Sequence, residues 1–206
     1  LHVRSRRQRQ MCIRDRSEEI IRHVNQFPST KNKFVYRNLQ QYAVAAQPKR
    51  KHTPFRIVYA GLLGVAQDIY SIIENIPFQS IGAEFHLYGG GNQTEKIKEY
   101  INKHPGCFVY YHGYVKKEQI AEELSRYDAS IVPLTVAIKG AVPSKIYDLI
   151  PIGIPILFCG GGEGAEIVSK YYFGMVSKPH DFKQLHNNII ELINLPDEEY
   201  STISKL

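Results

Sequence analysis

From Phe55 onward the chain alternates short apolar runs with stretches of helical period, and this alternation limits the possible folds more than any other feature. Runs of strand length lie at 55–60, 84–88, 108–111, 129–133, 154–159 and 173–176. Between them, apolar residues recur three and four apart: Ile69, Ile72, Ile73 and Ile76, then Ile97, Tyr100 and Ile101, then Ile120, Ala121 and Leu124. A stretch opened by Pro143, one from Glu163 to Lys170, and one over 182–195 carrying Leu185, Ile189, Ile190 and Leu192 complete the series. A strand followed by a helix can pair with the next strand only in parallel, and with a fixed crossover hand. Repetition of that unit predicts an α/β fold: a Rossmann-like, doubly wound parallel sheet of about six strands with helices on both faces.

The rest of the chain divides around this block. Residues 1–16 show no helix or strand period, and Met11-Cys12-Ile13-Arg14-Asp15-Arg16 looks like translated adapter sequence. They are set aside as a non-native-looking or disordered tail. An arginine-rich arm or transit peptide is the alternative; an apolar signal-peptide region is missing. In 17–54, Ser17 opens a short amphipathic helix with Glu18 and Glu19 in its first turn and Ile20, Ile21 and Val24 on one face. Phe34-Val35-Tyr36 reads as a brief strand, and the polar, proline-bounded stretch 47–54 as a linker. This segment is expected to be the remnant of a preceding domain and its linker. Residues 55–195 form the Rossmann-like domain, and 196–206 its C-terminal end.

The net charge of +6 is concentrated in the tail, where six arginines face only Asp15, so +5 of it lies within 1–16. The globular part is nearly neutral, which argues against a nucleic-acid partner. Three cysteines, Cys12, Cys107 and Cys159, make no disulfide framework and point to a reducing compartment. No apolar run approaches the roughly 18 residues of a membrane span. Metal-ligand spacings of the H-x-x-x-H or C-x-x-C type are missing, as is the G-x-S-x-G elbow.

Glycines gather where the strands end: Gly61 and Gly64, Gly89 to Gly91, Gly113, Gly140, and Gly160 to Gly162. In a doubly wound sheet these carboxyl ends hold the ligand, and bare backbone there permits close approach. Neither G-x-G-x-x-G nor the Walker pattern is present, which disfavours NAD. The stretch Val142-Pro143-Ser144-Lys145-Ile146-Tyr147-Asp148 then opens a helix with a hydroxyl and an ammonium at its positive end, a place for an anion. Lys145 and Asp148, three apart, share a face, so one can hold a phosphate while the other accepts from a sugar hydroxyl. An ordinary crossover helix with a solvated Lys–Asp pair fits the same residues.

Together, Val58-Tyr59-Ala60-Gly61-Leu62-Leu63-Gly64-Val65-Ala66-Gln67, the triplet Gly89–Gly91, the Val142–Asp148 stretch and Gly153-Ile154-Pro155 resemble the C-terminal donor-binding domain of GT-B glycosyltransferases. The likeness covers about residues 55–195 and is closest to glycosyltransferase family 4 (glycosyl transferases group 1), in its bacterial polysaccharide-building members. It implies the C-terminal half of a GT-B fold that binds a nucleotide-diphosphate sugar, UDP- or GDP-linked, and transfers the sugar with retention and without a metal or other cofactor. By position, Gly61, Gly64, Gly89 and Gly90 would face the donor, and Ser144 and Lys145 would hold the diphosphate. Asp148 would replace the family's ribose-binding glutamate, and Gly113, Tyr114 and Val115 would lie near the base. Lys145 would act catalytically by offsetting charge on the leaving diphosphate. The acceptor, a glycan or lipid-linked sugar, would meet a second domain. The setting implied is cytoplasmic, at the inner face of the membrane, with peripheral membrane contact through that second domain.

The family's paired glutamates, eight apart, are replaced here by Gly140 and Asp148, and the basic pair after the first strand is missing from 61–67. Lys145 or Lys139 is the expected substitute. Since a GT-B enzyme carries a second Rossmann-like domain, the chain is expected to be a fragment, inactive alone for want of an oriented acceptor. The competing readings are a non-catalytic nucleotide-binding Rossmann module and a GT-B-type sugar-nucleotide epimerase.

Overall fold

The computed structural model describes residues 12–15, 17–27, 32–35, 51–136 and 142–203. Expectations concerning Tyr36, Lys139, Gly140 and residues 1–11 and 47–50 lie outside the described residues.

Six strands form one parallel sheet: β3 (Phe55–Ala60), β4 (Ala83–Tyr88), β5 (Val109–Gly113), β6 (Ala129–Pro133), β7 (Ile156–Cys159) and β8 (Gly174–Ser177), in the order β5-β4-β3-β6-β7-β8. The chain starts at the centre, runs outward through β4 and β5, crosses back to β6, and runs outward again. The halves join where β3 meets β6, at Ile57 opposite Ala129 and Val58 opposite Ser130. This reversal leaves a crevice at the carboxyl ends of β3 and β6.

Both faces are covered. Ile57, Tyr59, Phe85, Leu87, Ile131 and Leu157 pack with α2 (Ile69–Asn75), α3 (Thr94–Lys103) and α7 (Phe182–Asn194), through Ile69, Ile72, Ile97, Leu185 and Ile189. Val58, Tyr88, Val132, Ile156 and Phe158 face α4 (Ile120–Leu124), α5 (Ser144–Leu149) and α6 (Glu163–Lys170), through Leu124, Ile146, Leu149, Ile167 and Val168. Burial on both sides is why β6 and β7 read as continuous runs, whereas β4 and β5 alternate between buried and more exposed positions.

Strand β7 begins at Ile156, two residues later than expected, because Gly153 turns left-handed and Pro155 has no N–H for the ladder. Ahead of the sheet, α1 (Glu18–Val24) lies between β1 (Cys12–Asp15) and β2 (Asn32–Val35), which pair in parallel from Cys12 opposite Asn32 to Asp15 opposite Val35. The tail set aside over 1–16 therefore contributes a strand. Backbone pairing requires no side-chain period, so periodicity gave no sign of it.

The domain also reaches past residue 195. In α8 (Asp197–Tyr200), Tyr200 is 2% exposed, its ring lies 6.4 Å from that of Phe55, and its hydroxyl donates to the Asp128 carbonyl at 2.5 Å. The buried Asp128 carboxylate accepts from the backbone N–H groups of His52 at 3.2 Å and Arg56 at 2.7 Å. Lys51 Nζ donates to the Ile193 carbonyl at 2.8 Å and to that of Leu195, capping the end of α7 with a cation. The last residues of the linker are thus fastened to both β6 and α7.

Candidate functional site

A cavity of about 450 Å³ opens at the sheet's reversal point. Gly61 and Leu62 contribute from beyond β3, Gly89 and Gly90 from beyond β4, and Tyr114 and Val115 from beyond β5. Lys145, Asp148 and Leu149 of α5 form the opposite wall. Ile120 and Leu124 of α4, with Ile152, make an apolar end, and Ala60, Tyr88 and Ser130 complete the lining.

Backbone hydrogen bonds tie the glycine loops together. Gly61 N–H donates to the Tyr88 carbonyl at 2.9 Å, Leu63 N–H to the Gly90 carbonyl at 3.0 Å, and Gly89 N–H to the Gly113 carbonyl at 2.7 Å. The loops approach so closely that a Cβ on Gly89 would overlap the Gly61 carbonyl oxygen. Gly61 has φ +155°, and a Cβ there would fall on the Lys145 ammonium. Glycine at 61 therefore lets Lys145 lie across the end of β3, with Nζ 5.5 Å from the centroid of the Tyr59 ring. Tyr59 is itself fixed by donating its hydroxyl to the Leu62 carbonyl at 2.7 Å. Gly90 is bare for a similar reason, since a Cβ would collide with the Tyr114 hydroxyl. The rest of Tyr114 projects into solvent, 83% exposed.

Burial lowers the Lys145 pKa below the ordinary lysine value, and the nearby Asp148 pulls the other way. An anion entering the cavity would relieve the cost of that buried ammonium. At the other side, burial raises the Tyr88 pKa, helped by hydrogen bonding to Glu123, to which its hydroxyl donates at 2.6 Å; the Tyr127 hydroxyl lies 2.8 Å away. His112 stacks on Tyr88 at 4.8 Å between ring centroids and lies 2.9 Å from His86 between ring nitrogens. Burial lowers the pKa of both imidazoles. Of these rings only Tyr88 reaches the cavity, which thus pairs a cation and a carboxylate from α5 with an apolar end and two tyrosines, Tyr88 and Tyr114. That division suits a ligand with an anionic middle and a planar end.

Of the residues singled out from sequence, Gly61, Gly89, Gly90, Tyr114, Val115, Lys145 and Asp148 line this cavity. Three stand apart from its lining. Gly64 closes the turn into α2, its carbonyl accepting from Asp68 N–H at 3.0 Å. Gly113 supports Gly89 from behind, and Ser144 is exposed at the start of α5. Sequence reasoning missed Ala60, Leu62, Tyr88, Ile120, Leu124, Ser130, Leu149 and Ile152 as site residues. The helical spacing of Ile120 and Leu124 marks a buried face without saying what that face borders.

Among the described residues, no group of three or more His, Cys, Asp or Glu side chains is placed to hold a metal ion. No helix among them is long and apolar enough to cross a membrane.

Known structures share this fold. Staphylococcus aureus TarM, solved with fondaparinux, α-GlcNAc-glycerol and UDP, matches with a TM-score of 0.68 at 20% identity, over 92% of this chain and 38% of that one. The catalytic domain of the Helicobacter pylori cholesterol-α-glucosyltransferase matches with a TM-score of 0.58 at 19% identity, over 74% of this chain and 93% of that one. Anabaena HepE, solved with UDP-glucose, gives a TM-score of 0.58 at 16% identity, over 73% of this chain and 41% of its own. The chain thus spans about two fifths of the length of TarM and HepE. No curated protein sequence matches it. The family model described as glycosyl transferases group 1 matches residues 54–195, which include every residue lining the cavity, and the chain belongs to that family.

Proposed function

We propose that this chain is the donor-binding half of a retaining GT-B glycosyltransferase of family 4, taking a UDP- or GDP-linked sugar for the assembly of a cell-surface polysaccharide or other glycan. The carrying observation is the convergence of Gly61, Gly89, Gly90, Tyr114, Val115, Lys145 and Asp148 on one cavity, from four segments of the chain. The neighbours solved with UDP or UDP-glucose lend support by their shared fold.

In this reading the base lies at the apolar end against Val115, Ile120 and Tyr114. Asp148 accepts from a ribose hydroxyl, and Lys145 holds the diphosphate across the end of β3. As the bond between sugar and diphosphate breaks, negative charge grows on the leaving group. An ammonium already fixed and partly desolvated meets that charge without reorganising. No metal takes part. The acceptor, a glycan or lipid-linked sugar, binds a second domain. The enzyme works on the cytoplasmic side, at the inner face of the membrane, and this chain alone transfers little because the acceptor is not oriented.

A thermal-shift panel tests the reading. Bound ligand raises the midpoint according to its concentration over its dissociation constant. UDP or GDP should raise it more than NAD does. A panel headed by NAD would return the chain to the class of non-catalytic Rossmann modules.

A further inference from the structure

Glu163 opens α6 and is only 6% exposed, yet its carboxylate is engaged by a segment 145 residues away in sequence. The Ser17 hydroxyl donates to Oε2 at 2.6 Å, Glu18 N–H to Oε1 at 2.9 Å, and Glu19 N–H to Oε2 at 3.2 Å. Ser17 is itself fully buried, and its Oγ accepts from Ile20 N–H at 3.1 Å. The carboxylate therefore sits in the first turn of α6 and caps the first turn of α1, so the positive ends of two helices converge on it. Such convergence offsets the desolvation of a buried carboxylate.

The place matters as much as the contact. A Cβ added to Gly164 would lie 3.4 Å from the Cδ of Pro143, the residue before Ser144 and Lys145. Glu163 thus precedes in sequence a glycine that faces the turn opening α5. Its position also makes it a tempting stand-in for the donor-sugar glutamate whose place Gly140 occupies. The three hydrogen bonds named above point otherwise, since all three come from the start of α1.

We infer that Glu163 is a docking residue: its carboxylate seats the segment 17–27 against the first turn of α6, and it is not a donor ligand. The first part stands on the contacts alone; the second rests on the donor-site reading above.

The test uses the whole chain and compares Glu163→Gln, Glu163→Ala and Ser17→Ala by amide hydrogen exchange, with UDP and UDP-glucose titrations alongside. Loss of charge-assisted bonds should speed exchange over 18–24 by about tenfold or more in Glu163→Ala. Glu163→Gln keeps the shape without the charge and should fall between, and Ser17→Ala should show the same effect from the other side. Affinity for UDP and for UDP-glucose should stay within about twofold of wild type, well short of the loss that follows removal of a ligand contact. Unchanged exchange in both Glu163→Ala and Ser17→Ala would overturn the docking role. A selective loss of UDP-glucose affinity over UDP would make Glu163 a donor ligand instead. If wild type binds neither nucleotide, the donor-site reading fails while the exchange comparison still decides the docking role.

Discussion

The ammonium of Lys145 occupies the space into which a side chain on residue 61 would grow, so that glycine and that lysine are one device. Gly61→Ala should expel Lys145 from the end of β3 and add strain at φ +155°. Because the displaced group is the far end of a flexible side chain, the protein should fold and lose nucleotide affinity. Gly89→Ala meets the Gly61 carbonyl oxygen, which is backbone and cannot swing aside, so it should lower the melting temperature more than Gly61→Ala does. Melting curves and UDP titrations of the two variants separate these outcomes.

Lys145→Ala should weaken UDP binding by about ten- to a hundredfold, the equivalent of roughly 1.5–3 kcal/mol for a charge-assisted contact. Asp148→Asn keeps the shape and weakens the acceptor, so it should cost less. The loss should appear with UDP and vanish with inorganic pyrophosphate, which has no ribose. Calorimetric titrations of both variants with both ligands check this. Unchanged affinity in Lys145→Ala would remove Lys145 from the diphosphate site and leave it a packing residue across the end of β3.

Burial lowers the Lys145 pKa beneath the ordinary value of 10.5 that it regains on unfolding. Between the two values the unfolded chain holds the proton and the folded chain does not, so stability rises as pH rises through that window. Below it both forms are charged, and the whole cost of the buried ammonium is present. Lys145→Met, which removes the charge and keeps the stem, should therefore be more stable than wild type at neutral pH without ligand. Its advantage should shrink as pH approaches 10.5. Denaturant midpoints measured across that range provide the check.

Asp128→Ala should destabilise the domain by about 2–3 kcal/mol, because the buried N–H of Arg56 loses its acceptor and that of His52 is loosened. For a chain of this size that is a fall of roughly 5–10 °C in midpoint. UDP affinity, measured well below the transition, should not change, because Asp128 lies at the amino end of β6 and the cavity at the carboxyl ends.

The strands and most helices can be read from sequence because burial on both faces makes the inner strands β6 and β7 nearly solid apolar runs and leaves β3, β4 and β5 still apolar at every buried position. Lys145 and Asp148 could be read because three-residue spacing on a helix fixes a common face. Strand order could not: nothing local in Ala129–Pro133 says that it pairs with β3 rather than β5. Ser130 was missed for that reason, since it borders the cavity only once β6 is central. Tyr200 looked like part of a chain end because the four-residue α8 is too short to carry a period. Glu163 looked like a helix opener suited to its own dipole, which it is; its partner Ser17 lies too far along the chain for any spacing rule to find.

The junction of β3 with β6 also bears on how the molecule reaches its native state. Seventy-two positions along the chain separate Ile57 from Ala129, whereas β3, β4 and β5 adjoin one another through shorter crossovers, as do β6, β7 and β8. Closing the long loop costs entropy before the contacts that reward it exist. Each three-strand half can therefore consolidate early, and the central seam last. The cavity straddles that seam, with Gly61, Gly89 and Tyr114 supplied by one half and Lys145 and Asp148 by the other. On the proposed reading of the cavity, competence to hold a nucleotide should come in the final step of assembly, and in a refolding experiment its appearance should trail the recovery of helical signal.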